Sequence, residues 1–195
     1  MPVTLPSGYV TEWSVRPALQ ATEAASAFGT NRQRFHRAGQ HWAVELKLQP
    51  MLPADARQWL KADTQTDTVL WSIPQSDFVA ANEGSPRIAG AGQLGSTLNV
   101  DGVTSGYDIP AGAFVSIVTN GRRYLYRIEE DATADAGGAA VLSIFPMLRV
   151  PPNDNDVVEI AAPKIEGYAR WTGLRFQMRE GRHTAPTTIT IFERG

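Results

Sequence analysis

Asn31–Asp63, NRQRFHRAGQHWAVELKLQPMLPADARQWLKAD, is the stretch that decides the fold. In its middle, Trp42, Val44, Leu46 and Leu48 alternate with His41, Ala43, Glu45, Lys47 and Gln49. An apolar period of two is the mark of a strand with one buried face. Before it, Arg32, Arg34 and His36 alternate with Gln33, Phe35 and Arg37 in a polar strand. Ala38-Gly39-Gln40 is short and contains glycine, so the two strands are read as a hairpin. A helix is predicted from Pro53, where a first turn does not need the missing N–H. Asp55 falls in that turn, where the helix dipole favours an acid. Leu52, Ala56, Trp59 and Leu60 make one apolar stripe, so the helix is expected to lie on the sheet.

Upstream, residues 1–9 are rich in Pro, Gly and Ser and read as a loosely held arm, either a frayed end or a reach onto a neighbouring subunit. Val10–Leu19 alternates as a half-buried strand expected to end at Pro17, and residues 20–30 read as a loop. Downstream, Asp67–Ile73 is a β-rich run closed by Pro74. From Gln75 to Gly95 the periodicity fades into Gly, Ser, Ala and Asn, the texture of a loop or domain boundary. Then follow short strands at Thr97–Val100, Phe114–Thr119, Arg123–Glu129, Ala140–Phe145 and Asp156–Ile160. Turn signals separate them: Asp101-Gly102, Asn120-Gly121 and Asp135–Gly138. Short strands at even spacing predict a small barrel or sandwich. Glu166–Glu180 and Thr187–Glu193 alternate strongly again. They are expected to complete the first sheet, with residues 1–84 and 166–195 forming one β domain and 85–165 inserted into it. The fold class is mainly β with one packed helix.

Composition narrows the function classes. The chain of 195 residues is 43% hydrophobic, enough for a buried core, and 19% charged, below the usual quarter. A surface poor in charge suits a subunit that covers part of its exterior. A formal net charge of -2 argues against a dedicated nucleic-acid binder. Residues 85–165 carry 6 basic and 9 acidic side chains, and residues 166–195 carry 5 and 3. With no cysteine, disulfides and thiolate metal sites are excluded. The first residues lack the basic and apolar segments of a signal peptide, and no apolar run nears the roughly 20 residues that cross a bilayer. A soluble protein made in a cytosol is expected.

No constellation for chemistry emerges. There is no G-x-S-x-G elbow, and His36 and His41, five residues apart on polar strand faces, read as solvated. Asn153-Asp154-Asn155-Asp156 lacks the glycine and closing glutamate of a calcium loop. The glycines at 90, 92, 137 and 138 stand outside any strand–loop–helix phosphate cradle. No enzyme, cofactor or metal is expected. Arg32, Arg34 and Arg37, with Arg170, Arg175, Arg179 and Arg182, form a basic set open to three readings: solubility, pairing with acids such as Glu12, Glu45 or Glu180 across subunits, or a channel lining. Dense positive charge would hold passing DNA through its phosphates, which argues against placing all of them on a lumen. Tyr107, Tyr124 and Tyr126 could stack against sugar rings or belong to the core.

The polar arginine strand followed by G-Q-H-W-A-V-E-L-K-L and P-M-L-P-A-D-A-R-Q-W-L resembles the N-terminal part of distal tail proteins, the small baseplate or tail-tip ring proteins of long-tailed bacteriophages. The resemblance is best over residues 1–75 and 166–195 and looser between them. It implies a tail-tube-like β-sandwich with one helix, carrying an inserted small β domain. It also implies a homo-oligomeric ring, hexameric in this family, between the tail tube protein and the tip hub or baseplate, in a virion assembled in a host cytoplasm. The genome would pass the lumen without specific binding. Arg32, Arg34, Arg37, Arg175 and Arg179 become candidates for contacts between subunits. The chain and its insertion are short for the family, and a minor tail protein adjoining the tip hub would look similar. A second reading is a glycan-binding module over residues 85–165, with Tyr107, Tyr124 and Tyr126 as its platform.

Overall fold

A computed structural model describes residues 2–18, 21–25, 32–36, 40–52, 54–57, 59, 68–75, 79–172, 178–179, 182–183 and 187–194. The strands in chain order are β1 (Val3–Thr4), β2 (Val10–Ala18), β3 (Ala21–Ala25), β4 (Arg32–His36), β5 (His41–Leu48), β6 (Val69–Ser72), β7 (Gly84–Ile88), β8 (Thr97–Val103) and β9 (Asp108–Ile109). They continue as β10 (Phe114–Thr119), β11 (Arg122–Ile128), β12 (Ala132–Thr133), β13 (Ala140–Phe145), β14 (Val157–Glu159), β15 (Lys164–Thr172), β16 (Met178–Arg179), β17 (Arg182–His183) and β18 (Thr187–Glu193). The described residues are mainly β, with one short helix over residues 54–57 and 59.

Two sheets carry the fold. The first has six strands in the order β1-β6-β15-β18-β5-β2. The second is a closed barrel, β10-β11-β13-β8-β7-β14, sealed by pairing of β10 with β14. The chain leaves the six-stranded sheet after β6, builds the barrel, and returns as β15 antiparallel to β6, with Lys164 opposite Ser72. Ile73 donates its N–H to Pro163 O at 2.8 Å, so departure and return lie side by side.

The alternation in β5 does what its period requires. Val44 stands opposite Ile191 and Leu46 opposite Ile189 on β18, and these side chains with Trp42, Trp71 and Ile165 are fully or almost fully buried. Trp13 on edge strand β2 meets Trp71 on β6 with ring centroids 6.0 Å apart, although three strands separate them in the sheet. The sheet is therefore strongly curled, as right-handed strand twist encourages. Ala56 and Trp59 of the helix pack into this core, but Leu52 is 48% exposed, and Leu60 lies outside the described residues.

Local expectations change at five places. Val3–Thr4, read as part of a loose arm, pair with β6, and Leu5 beside them is buried. Gly84–Ile88, in the stretch read as loop or boundary, is barrel strand β7. The partner of β4 is β3, with Glu23 opposite Arg34; β5 instead lies between β2 and β18. Residues 21–25, expected in a loop, are that partner strand. Both edges of β5 are taken by more apolar strands, which leaves β4 to pair with β3. Ala18 stands opposite His41 and Ala21 opposite His36, three residues on in one strand and five back in the other, so the β3–β4 pairing is offset by two residues from the β2–β5 pairing. The connection at 37–39 lies outside the described residues. Next, β2 runs through Pro17, which pairs with Trp42; proline is tolerated there because β2 is an edge strand. Finally, Asp101-Gly102 lies inside β8. The register slips by one between Gly84 and Arg87 opposite it, so this glycine marks a bulge. Gly102 has φ +69, and a Cβ there would meet Ser85 O at 2.5 Å.

Other turns form as their residues dictate. Asn120 and Gly121 have φ of 50 and 73, both positive, and Thr119 pairs directly with Arg122 in a two-residue hairpin. Asp135 Oδ1 accepts the N–H groups of Gly137 and Ala139 at 2.8 and 2.9 Å and folds the turn into β13. Strands β7, β10, β13 and β14 send Ile88, Val115, Ile117, Leu142, Ile144 and Val158 into the barrel interior.

Candidate functional site

The most elaborate polar construction in the described chain is the seam where barrel meets sheet. Two barrel strands are buried on both faces there. On β11, Tyr124, Tyr126 and Ile128 point into the barrel core, while Leu125 joins the core of the sheet. Phe114 on β10 and Phe145 on β13 also pack on the sheet side. Trp42 receives them edge-on, with centroids 5.3 Å from Phe114 and 6.0 Å from Phe145. Such aromatic pairs add to area burial and fix the angle of approach.

Around this apolar contact stands an ion pair. Arg149, on the segment after β13, has a side chain 6% exposed, and Glu193, ending β18, has one 0% exposed. Their Nη2 and Oε1 are in direct contact. Oε1 of Glu193 also accepts Leu125 N–H at 2.7 Å, and its Oε2 accepts Trp42 N–H at 2.9 Å. Arg149 Nη2 donates further to Leu125 O at 3.2 Å, and its guanidinium lies 5.4 and 5.3 Å from the rings of Tyr124 and Tyr126. Burial alone would lower the pKa of Arg149, but the Glu193 carboxylate outweighs it and the pKa rises. Both charges are thus kept in a place where either alone would be costly.

His41 completes the group. Its Nδ1 lies 2.9 Å from Arg149 Nη1. Arginine can only donate, so Nδ1 accepts and the ring proton sits on Nε2. Desolvation, and then the positive charge of Arg149, lower the pKa of His41, while Glu193 pulls the other way. The histidine expected to be solvated is half-buried and held in place. Beside it, a cavity of about 540 Å³ is lined by Arg16, Pro17, Ala18, His41, Trp42, Phe192 and Glu193.

A second polar cluster secures the other side of the seam. Glu159 accepts from Arg123 Nε at 3.1 Å, Lys164 Nζ at 2.6 Å and Ser116 Oγ at 2.6 Å. Glu166, buried on β15, accepts Arg123 N–H at 3.1 Å. Gln75 bonds both ways to the backbone of Phe114, at 3.0 Å each, and Glu83 accepts Ile160 N–H at 2.9 Å. Both passages between sheet and barrel are therefore tied down.

The residues singled out from sequence are scattered. Arg32 and Arg34 stand on β4 opposite Ala25 and Glu23, and Arg179 on β16 opposite Arg182. Arg37 and Arg175 lie outside the described residues. Tyr107, Tyr124 and Tyr126 are 4%, 5% and 1% exposed. Their rings belong to the barrel core and offer no stacking surface to a sugar. Glu12, a suggested intersubunit partner, pairs on the protein's own surface with Lys47 at 2.8 Å. Arg149 and Glu193 carried weak signals in the sequence. Arg149 is the lone charge in FPMLRVPP, and Glu193 continues the buried face of Ile189 and Ile191.

Among the described residues, no three His, Cys, Asp or Glu side chains gather as a metal site would require, and no helix is long and apolar enough to cross a membrane. Neither a known protein family nor a curated protein matches the chain.

Proposed function

We propose that the protein is a structural subunit of a long-tailed phage, a distal tail protein that closes with copies of itself into a six-membered ring between the tail tube protein and the tip hub or baseplate. The observation that supports this reading best is the pair of edges on the curled sheet. On one side β2 ends the strand order with nine residues, and on the other β1 covers the sheet with only two. An edge of that length leaves backbone donors and acceptors to be satisfied, and it invites another strand. A head-to-tail ring satisfies them in every copy and leaves no terminal edge. The arginine strand β4 pairs with β3, which follows edge strand β2 in the chain, so Arg32, Arg34 and Arg37, with Arg175 and Arg179, are the side chains proposed to grip carboxylates of the next subunit. In this reading the protein resides at the tail tip of the virion, and the genome passes through the ring without being bound.

Light scattering after size exclusion tests the proposal. A species with the mass of six 21.2 kDa protomers, or a monomer–ring equilibrium that shifts with concentration, is expected. A strict monomer at every concentration that also fails to bind isolated tail tubes would remove the ring reading.

A further inference from the structure

The seam contains a titratable group in direct contact with a buried cation, and that arrangement has consequences for pH. Among the described residues, the charged groups that face His41 come from three elements. From the segment after β13 comes Arg149, from β18 comes Glu193, and from β2 comes Arg16 across the shared cavity. The rings of Tyr124 and Tyr126 of β11 lie 5.4 and 5.3 Å from the Arg149 guanidinium. The single acid in this set, Glu193, is already saturated by Arg149 and by the amides of Leu125 and Trp42. Among the described residues, no other carboxylate faces His41 to welcome a second positive charge.

We propose that His41 is a protonation-sensitive pin of the barrel–sheet seam. Neutral, it accepts a hydrogen bond from Arg149 and holds the guanidinium toward Glu193. Protonated, it loses that acceptor and sets a cation against a cation, so acid loosens the barrel from the sheet. The proton goes to Nδ1, the atom that Arg149 occupies, so protonation and the hydrogen bond exclude each other. The sign follows from the lowered pKa of the folded state. The unfolded chain binds the proton first, near the ordinary histidine value of about 6.5. Stability from this contact is therefore complete above that value and drains away as pH falls through the lower folded one.

The test uses the full chain. Thermal unfolding between pH 5 and 8 is compared for the wild type and for His41→Gln, which keeps a hydrogen-bond acceptor but cannot titrate. The wild type should lose melting temperature as pH falls below about 6.5, and the variant should lose distinctly less. Equal slopes would overturn the proposal. If His41→Gln does not fold, NMR titration of the His41 ring in the wild type decides instead: a pKa at or above the ordinary value sinks the idea. Hydrogen exchange separates a seam effect from general acid weakening. Protection at the Leu125 and Trp42 amides should fall with acid before protection in the β8–β13 ladder does. Uniform loss across both would also count against the pin.

Discussion

Arg149 and Glu193 show how much can depend on one buried pair. Removing one charge leaves the other uncompensated in the seam, a loss typically worth about 3–5 kcal/mol, whereas replacing both by apolar groups of similar size is often nearly neutral. Arg149→Met should therefore destabilise the protein by about 3–5 kcal/mol in denaturant unfolding, and Arg149→Met with Glu193→Met should recover a large part of that loss. If the double variant is as unstable as the sum of the singles, the pair is not coupled as its geometry says. Glu159 gives an acid-side expectation. Burial pushes its carboxyl up, but hydrogen bonds from Arg123, Lys164 and Ser116 together hold it below its usual value. Its contribution is present above the usual glutamate value of about 4.3 and is lost as pH falls through the folded one. Unfolding free energies from pH 6 to 3 should fall more steeply for the wild type than for Glu159→Gln. On the alkaline side, burial, assisted by Glu83, pushes Tyr107 up to about 12, and its hydroxyl donates to Ala80 O at 2.5 Å. An ultraviolet titration should show one tyrosine ionising near there, and Tyr107→Phe should remove it.

At the scale of elements, two glycines make a controlled comparison. Gly121 and Gly138 both have positive φ, at +73 and +79. A Cβ on Gly121 would meet nothing within 4 Å, while one on Gly138 would run into Val103 O. Gly121→Ala should thus cost only the left-handed backbone penalty, about 1–2 kcal/mol, and Gly138→Ala clearly more. Melting temperatures of the two variants check the order. These elements also mark how far local pattern reaches. The Asn120-Gly121 hairpin was legible because its two residues carry the turn geometry within themselves. The pairing of β4 was not, because a polar strand looks the same whichever neighbour it adopts. What decided it was competition: β2 and β18 fill both edges of β5 with side chains that extend its apolar face. Asp101-Gly102 was misleading for a related reason. A glycine with positive φ serves a turn and a bulge equally, and only the opposite strand distinguishes them.

At the scale of the whole molecule, the seam makes sheet and barrel one mechanical body. Trp42 belongs to the sheet, yet its ring is packed by Phe114 and Phe145 of the barrel. Calorimetry should record a single unfolding transition for the wild type. Trp42→Ala should cost about 3–5 kcal/mol and split or broaden that transition as the two parts lose their common core. A sharp single transition in that variant would show that the polar ties at Gln75, Glu83 and Arg149 suffice by themselves.

By itself the sequence determined that the protein is mainly β, that β5 has one buried face, that β10 and β11 form a tight hairpin, and that no disulfide can hold the fold. Each of these follows from chemistry carried by neighbouring residues: period-two alternation, an Asn-Gly pair, the absence of cysteine. Only the tertiary structure decided that the five short strands close into a barrel with a sixth, β7, from the stretch read as a loop, and that the sheet curls until Trp13 meets Trp71. It alone brought Arg149, Glu193 and His41 together, from positions as far apart as 152 residues in the chain. A lone arginine among prolines and a glutamate at the end of an apolar strand are each unremarkable where they stand. Their meaning lies in the burial they share, and burial is a property of the folded whole.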